Sequence, residues 1–314
     1  MAHRLVCVFG GSGFVGRHLV RRLANAGDRV RIAVRHPESA HYLKPLGNVG
    51  QIVAVAANLS HEGSIKAAVA GADAVVNLVG TFSKGKFQTI HVDGPAAIAA
   101  AATAAGVKSL VHMSALGADT DSRAAYGRSK AEGEAAVRAA FAGAVILRPS
   151  VIFGPEDDFF NRFASLTGIT PILPAFGTSR FQPVYVGDVA DAIMAGIDNP
   201  ALAGKTFSLG GPQTFTLRDV MEIVLTITMR HRVVVPLPLW IARLQSLLLQ
   251  FIPGGPLQIT PDQVRMLAVD NVVPADAPGL ADLGISPTAV AAIVPTYLSR
   301  FRNPFAPRQP KVAR

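Results

Sequence analysis

Gly10, Gly13 and Gly16 stand three residues apart, after the apolar run Leu5–Phe9 and before the amphipathic stretch RHLVRRLANAG. In a strand–turn–helix unit each has a separate role. Gly10 allows the sharp turn off the strand, Gly13 admits a pyrophosphate close to the backbone, and Gly16 lets the helix lie against the sheet. The helix N-terminus then aims unpaired N–H groups and a partial positive charge at the phosphates. Dinucleotide binding is the chemistry this spacing serves. A second group is Tyr126 and Lys130 in YGRSK, which on a helix put a phenol and an ammonium on one face. Ser114 ends the strand that precedes them.

The apolar stretch RVRIAV ends at Arg35. An NAD site usually places Asp or Glu at this strand end for the adenine ribose hydroxyls, whereas Arg accommodates a 2′-phosphate. Arg35, with Arg17 just after Gly16 as a second cation, favours NADP(H) over NAD(H). The competing reading is two solvated surface arginines.

Positioning these groups requires a sheet. Apolar runs predict strands at 29–34, 51–56, 73–79, 108–113 and 144–150, with helices between them at about 88–105 and from Tyr126 onward. Such alternation gives an α/β fold, a right-handed, doubly wound parallel sheet of Rossmann type. From Glu156 the pattern loosens, and QPVYVGDVADAIMAGI and KTFSLGG then restore strand, helix and strand, with Asp188 placed as a helix N-cap. The expected organisation is a nucleotide-binding core at 1–155 completed by about 181–211. A smaller, mostly helical C-terminal lobe takes 156–180 and 212–303, and 304–314 form an extended basic tail. A substrate would sit between core and lobe.

The lobe residues Phe159, Phe160, Phe163, Ile169, Ile172 and Leu173 suit a hydrophobic ligand or core packing. At 236–253, Trp240, Ile241, Leu244, Leu247, Leu248 and Phe251 recur at helical spacing, leaving Arg243, Ser246 and Gln250 on a narrow polar face. That helix either lies in a membrane interface, docks on a membrane-bound partner, or is buried in the lobe. TPDQV and SPTAV read as capped helix starts.

The 314 residues, 50% hydrophobic and 16% charged, can bury a large core and argue against disorder. A single cysteine, Cys7, excludes a disulfide framework and lies in the first strand as a packing residue. The net charge of +9 suits an acidic partner or surface, or simply a basic protein. Mean hydropathy is high at +0.34. Yet Pro and Gly break the longest uncharged runs, no membrane span is expected, and no secretory or transit leader precedes the first strand. No zinc-ligand spacing or nucleic-acid motif is visible.

The glycine turn, HMSALGA, YGRSKAEGE, LRPSVIFGPEDDFFNRFA, QPVYVGDVA, VVPLPLW, TPDQV and GLADLGI follow one another in an order that resembles the atypical, extended short-chain dehydrogenases. Within them the chain is similar to the nucleotide-binding accessory subunits of respiratory complex I and their bacterial relatives. The resemblance implies Ser114, Tyr126 and Lys130 as a triad. Tyr126 would be the general acid/base at a carbonyl or carbinol oxygen, Lys130 would lower its pKa and hold the nicotinamide ribose, and Ser114 would hydrogen-bond the reacting oxygen. It implies cofactor contacts from Ser12, Phe14 and Val15 beside the glycines, from Asn58 and Leu59 at the adenine, from Leu78, Val79, Gly80 and Met113, and from Pro149 and Val151 near the nicotinamide. Asn58 stands where the family usually has Asp. The implied function is an NADP(H)-binding accessory, assembly or stability subunit of NADH:ubiquinone oxidoreductase, peripheral on the cytoplasmic face of a bacterial inner membrane or in the cytoplasm, or on the matrix side of a mitochondrion for a processed eukaryotic form. The alternative is an active oxidoreductase or epimerase on a hydrophobic carbonyl or alcohol, such as an isoprenoid, sterol or quinone-like compound.

Overall fold

The computed structural model describes residues 4–249 and 260–303. Strands β1 (Leu5–Phe9), β2 (Arg29–Val34), β3 (Ile52–Ala56), β4 (Ala74–Asn77), β5 (Ser109–Met113), β6 (Val145–Pro149) and β7 (Thr206–Leu209) pair in parallel as one sheet. Its order is β7-β6-β5-β4-β1-β2-β3. The chain therefore builds outward from β1 in one direction, crosses to β4, and builds outward in the other. Where the direction reverses, a crevice opens at the carboxyl ends of β1 and β4, the place where such sheets hold ligands.

Both faces of the sheet are covered at its centre, which is why β1 is apolar and buried along its whole length rather than alternating. Helices α1 (Phe14–Asn25) and α6 (Val186–Asp198) cover Val6, Val8 and Ile32 on one face. Helices α2 (Glu62–Val69), α3 (Gly94–Ala104) and α4 (Ala125–Ala140) cover Cys7, Phe9, Val75 and Ile146 on the other. Cys7 is buried as expected, and burial pushes its thiol up to about 12, which makes it inert. β4 stops at Asn77, earlier than the apolar run predicts, because the Asn77 side-chain oxygen accepts from the Val79 N–H and turns the chain. The helix expected over 88–105 begins as a π-helical segment, Gln88–Asp93, before α3 takes over.

Beyond the sheet, α5 (Phe160–Ile169), α7 (Leu217–Thr228) and α10 (Val290–Leu298) gather around Phe160, Val220, Val224 and Val294. A parallel strand pair, Ile172–Phe176 with Val233–Leu237, leads into α8 (Leu239–Leu249), and α9 (Pro261–Met266) packs beside it. α9 starts with the capping box that TPDQV predicts, Thr260 with Gln263. Two expectations change. Asp188 does not cap α6, whose N-cap is Tyr185; its carboxylate instead accepts from the Thr288 N–H and hydroxyl, tying the SPTAV segment to the core. α10 accordingly begins at Val290 without a side-chain cap. On α8, Trp240 and Leu244 are 63% and 52% exposed, as an interface or docking helix would have them, while Ser246, expected on the polar face, is buried with Ala242. The side chains of Leu247 and Leu248, and residues Gln250 and Phe251, lie outside those described. No helix among the described residues is long and apolar enough to cross a membrane.

Candidate functional site

The turn after β1 is fixed by its backbone. Gly10 has φ +76°, its N–H donates to the Ala33 carbonyl, and its own carbonyl accepts from Gly13 N–H. A Cβ on Gly16 would lie 2.5 Å from the Gly11 carbonyl oxygen, so only glycine lets α1 start this close to the turn. α1 has Gly13 as N-cap, no side-chain cap and no acidic residue in its first turn. The N–H groups of Phe14, Val15 and Gly16 thus belong to a first turn that an anion can complete.

A cleft of about 410 Å³ opens beside this turn. Gly10, Ser12, Gly13, Arg35, Asn58, Leu59, Leu78, Val79 and Gly80 line it, together with His36, Lys86 and Ile90, and no carboxylate does. A Cβ on Gly80 would approach nothing nearer than the Lys130 ammonium at 3.8 Å. Glycine turn, bare helix start and cationic strand end fit a dinucleotide phosphate. Arg17 does not line the cleft: its guanidinium lies over the Tyr42 ring and 3.5 Å from a Glu156 oxygen. Tyr42, whose hydroxyl donates to the Ser12 carbonyl at 2.7 Å, was not marked by any spacing, because it sits in an irregular 3-10 segment, Pro37–Leu46.

Tyr126 and Lys130 share a face of α4, as their spacing requires, and the Lys130 ammonium lies close behind the cleft residue Gly80. Lys130 Nζ donates to the Met113 carbonyl and stands 6.0 Å from the Tyr126 ring centre. Burial lowers the Lys130 ammonium to about 8 and raises the Tyr126 phenol to about 12. Burial therefore keeps the Tyr126 phenol protonated at neutral pH. Ser114 is placed differently from its expected role. Its hydroxyl donates to Glu134 at 2.5 Å, and Arg148, itself about a third exposed, donates twice to the same buried carboxylate. In this structure that bond ties β5 to α4. Pro149 likewise serves the backbone, its carbonyl accepting from Leu116 N–H, and Val151 lines a second cavity in the lobe.

Sequence reasoning missed His91. Thr81 N–H donates to its Nε2, so Nδ1 carries the hydrogen and donates to Ser129 Oγ, which donates to the Tyr126 carbonyl. The His91 ring meets Tyr126 edge-on at 5.4 Å and stacks on Phe87. Burial, aided by the Lys130 charge, holds it down to about 4 and neutral. This packing requires Gly133, where a Cβ would collide with the His91 carbonyl. His112 is held by Asn77 through Nδ1, leaves Nε2 without a partner, and is pushed by burial down to about 3.

The second cavity, about 270 Å³, is lined by Phe159, Phe163, Leu173, Phe176, Phe181 and Met221, with Phe82 where it nears Tyr126. Phe82 stacks on the Tyr126 ring at 4.9 Å. Of the six apolar lobe residues singled out, Phe159, Phe163 and Leu173 line this cavity, Phe160 is core, and Ile169 and Ile172 face outward. Among the described residues no cluster of His, Cys, Asp and Glu could hold a metal ion.

The NAD dependent epimerase/dehydratase family matches residues 6–210. The chain is 36% identical over 303 residues to NADH dehydrogenase [ubiquinone] 1 alpha subcomplex subunit 9, mitochondrial, of Mus musculus, covering 94% of this chain and 80% of that protein. It is 34% identical over 225 residues to a ceramide reductase of Caulobacter vibrioides, covering 70% of this chain and 69% of that one. The UDP-glucose 4-epimerase of Thermus thermophilus, solved with NAD, has the same fold: TM-score 0.70, 21% identity, 96% of this chain and 99% of that chain covered. The chain thus belongs to the NAD dependent epimerase/dehydratase family, within the group that holds subunit 9 of the complex I alpha subcomplex.

Proposed function

We propose that this protein binds NADP(H) in the crevice at β1 and β4 and serves as an accessory subunit of a respiratory NADH:ubiquinone oxidoreductase, peripheral at the membrane surface. The observation that carries the reading is the extent of the likeness to the alpha-subcomplex subunits, 94% of this chain, which takes in the lobe as well as the nucleotide-binding sheet. The preference for NADP(H) rests on Arg35 and Lys86 in a cleft without a carboxylate. Gly10 to Gly16 would hold the pyrophosphate, Asn58 and Leu59 the adenine end, and Lys130 the nicotinamide ribose. Cofactor binding at a thousandfold excess over Kd would stabilise the fold by about 4 kcal/mol. In a bacterium the assembly would lie on the cytoplasmic face of the inner membrane, and in a mitochondrion on the matrix side. Purification of the tagged chain from its native membranes in mild detergent should recover respiratory-complex subunits and bound NADPH. A chain recovered alone and without nucleotide would sink the proposal.

A second reading is favoured by the apolar cavity beside Tyr126: reduction of a hydrophobic carbonyl compound. The likeness to a ceramide reductase supports it. When bound, NADP(H) supplies hydride exchange. Tyr126 would give the proton to the reacting oxygen, Lys130 would fix its orientation electrostatically, and the Phe-rich walls would exclude water. Tyr126→Phe should abolish turnover and leave NADPH binding intact; undiminished turnover would remove Tyr126 from the chemistry.

A further inference from the structure

Helix α4 carries Tyr126 and Lys130, yet its own sequence supplies no cap: the N-cap residue is Ala124 and makes no side-chain hydrogen bond. The first-turn amides are held from the far end of the chain. Asp262 Oδ1 accepts from Ala125 N–H at 2.8 Å, and Oδ2 accepts from Tyr126 N–H at 3.0 Å, across 136 residues. Asp262 is 9% exposed and sits in the first turn of α9. Its carboxylate thus sits at the N-terminus of α4, which favours negative charge. Arg265 reaches within 3.5 Å of Oδ1 from the outer side.

The same short helix forms part of the lobe cavity. Gln263, Met266 and Leu267 follow Asp262 along it and line the apolar space, and Phe82, stacked on Tyr126, lines it too. Tyr126 is therefore bordered by the cavity through Phe82 at its ring and linked to the cavity wall through Asp262 at its backbone.

We propose that Asp262 is a positioning residue that fixes the Ala125–Tyr126 start of α4 to the α9 wall of the lobe cavity, so that an apolar molecule in the cavity is registered at Tyr126. The two bonds are charge-assisted and buried, which makes them strong for their number. An uncapped helix start frays, and α4 has no local residue to replace Asp262. Binding in the cavity that steadies α9 steadies the Tyr126 backbone through these two bonds. The inference rests on the reading of Tyr126 as the group that faces the nicotinamide only for its functional meaning; the coupling itself is a property of the fold.

Amide-resolved hydrogen exchange on the full chain tests it, with 1-decanol as the cavity probe and NADPH affinity measured on the same samples. Asp262→Ala should speed exchange at Ala125 and Tyr126 by about fivefold to thirtyfold, the range expected for loss of a helix cap, while the sheet amides are unchanged. Asp262→Asn keeps one acceptor oxygen and should release only one of the two amides. Decanol should slow both amides in the native chain and fail to do so in Asp262→Ala. Unchanged exchange in both variants, or decanol protection that persists in Asp262→Ala, overturns the proposal. If Asp262→Ala does not fold, the single-amide release in Asp262→Asn carries the test. Loss of NADPH binding in the native chain alone would instead remove the cofactor reading and leave the coupling standing.

Discussion

Replacing Arg35 with Ala isolates the cofactor reading from the stability of the fold. Arg35 follows β2, lines the nucleotide cleft, is exposed, and makes no hydrogen bond or ion pair among the described residues. Its removal breaks nothing in the folded chain, so stability should change by less than about 0.5 kcal/mol. A bound 2′-phosphate would gain a charge-assisted hydrogen bond, worth about 1.5–3 kcal/mol in general. Exposure at the cleft and screening by salt bring that toward about 1–2 kcal/mol. The expected loss of NADPH affinity is therefore roughly fivefold to thirtyfold, with NADH affinity unchanged. Calorimetric titration of the nucleotide-free chain with both nucleotides, at two salt concentrations, reads this directly. NADPH binding should weaken with salt in the native chain and less steeply in Arg35→Ala. Equal losses for the two nucleotides, or no loss for either, would return Arg35 to the solvated surface.

Three further expectations follow from the buried polar groups and the exposed helix. Glu134→Ala removes the carboxylate that holds Arg148 and Ser114 and should cost about 2–3 kcal/mol in urea unfolding, whereas Ser114→Ala should cost about 1 kcal/mol. A Ser114→Ala chain of native stability that has lost a nucleotide-dependent reaction would restore Ser114 to the reacting centre. His91, held down to about 4 against an ordinary 6.5, contributes stability that is complete above pH 6.5 and is lost as pH falls toward 4. His91→Phe should flatten the stability profile over that window by up to about 1.4 kcal/mol per pH unit, and parallel profiles for the two chains would contradict the assignment. Trp240 is the single tryptophan and is 63% exposed, so its emission should be red-shifted and open to acrylamide in solution. Vesicles rich in anionic lipid should shift it to the blue if this surface meets the membrane; an unmoved spectrum with vesicles present would exclude that contact.

The sequence by itself determined what is local or repeats along the chain. Unbroken apolar runs mark strands buried on both faces, so the order of strands and helices through β6 was legible, as was the glycine turn, whose geometry is settled within seven residues. The pairing of Tyr126 with Lys130 followed from helical spacing alone. The tertiary structure decided whatever depends on which groups compete for one atom. Ser114 follows β5 directly, but its hydroxyl donates to Glu134, a carboxylate of α4 that Arg148 of β6 holds from the other side. Arg17 is drawn off by Glu156 and Tyr42, and Asp188 by Thr288, none of which lies near in sequence. The close approach of the π-helical segment to α4, which sets His91 against Tyr126, requires glycine at 133, far from it in sequence. Whether the apolar side of α8 is covered or exposed was open in the sequence, and the structure leaves Trp240 and Leu244 exposed while burying Ala242 and Ser246. Asp262 could not have been found from its surroundings in sequence, since a helix cap supplied across 136 residues leaves no local trace at either end. Propensity and spacing act over a few residues, whereas hydrogen-bond partners and burial are assigned only when the whole chain has closed.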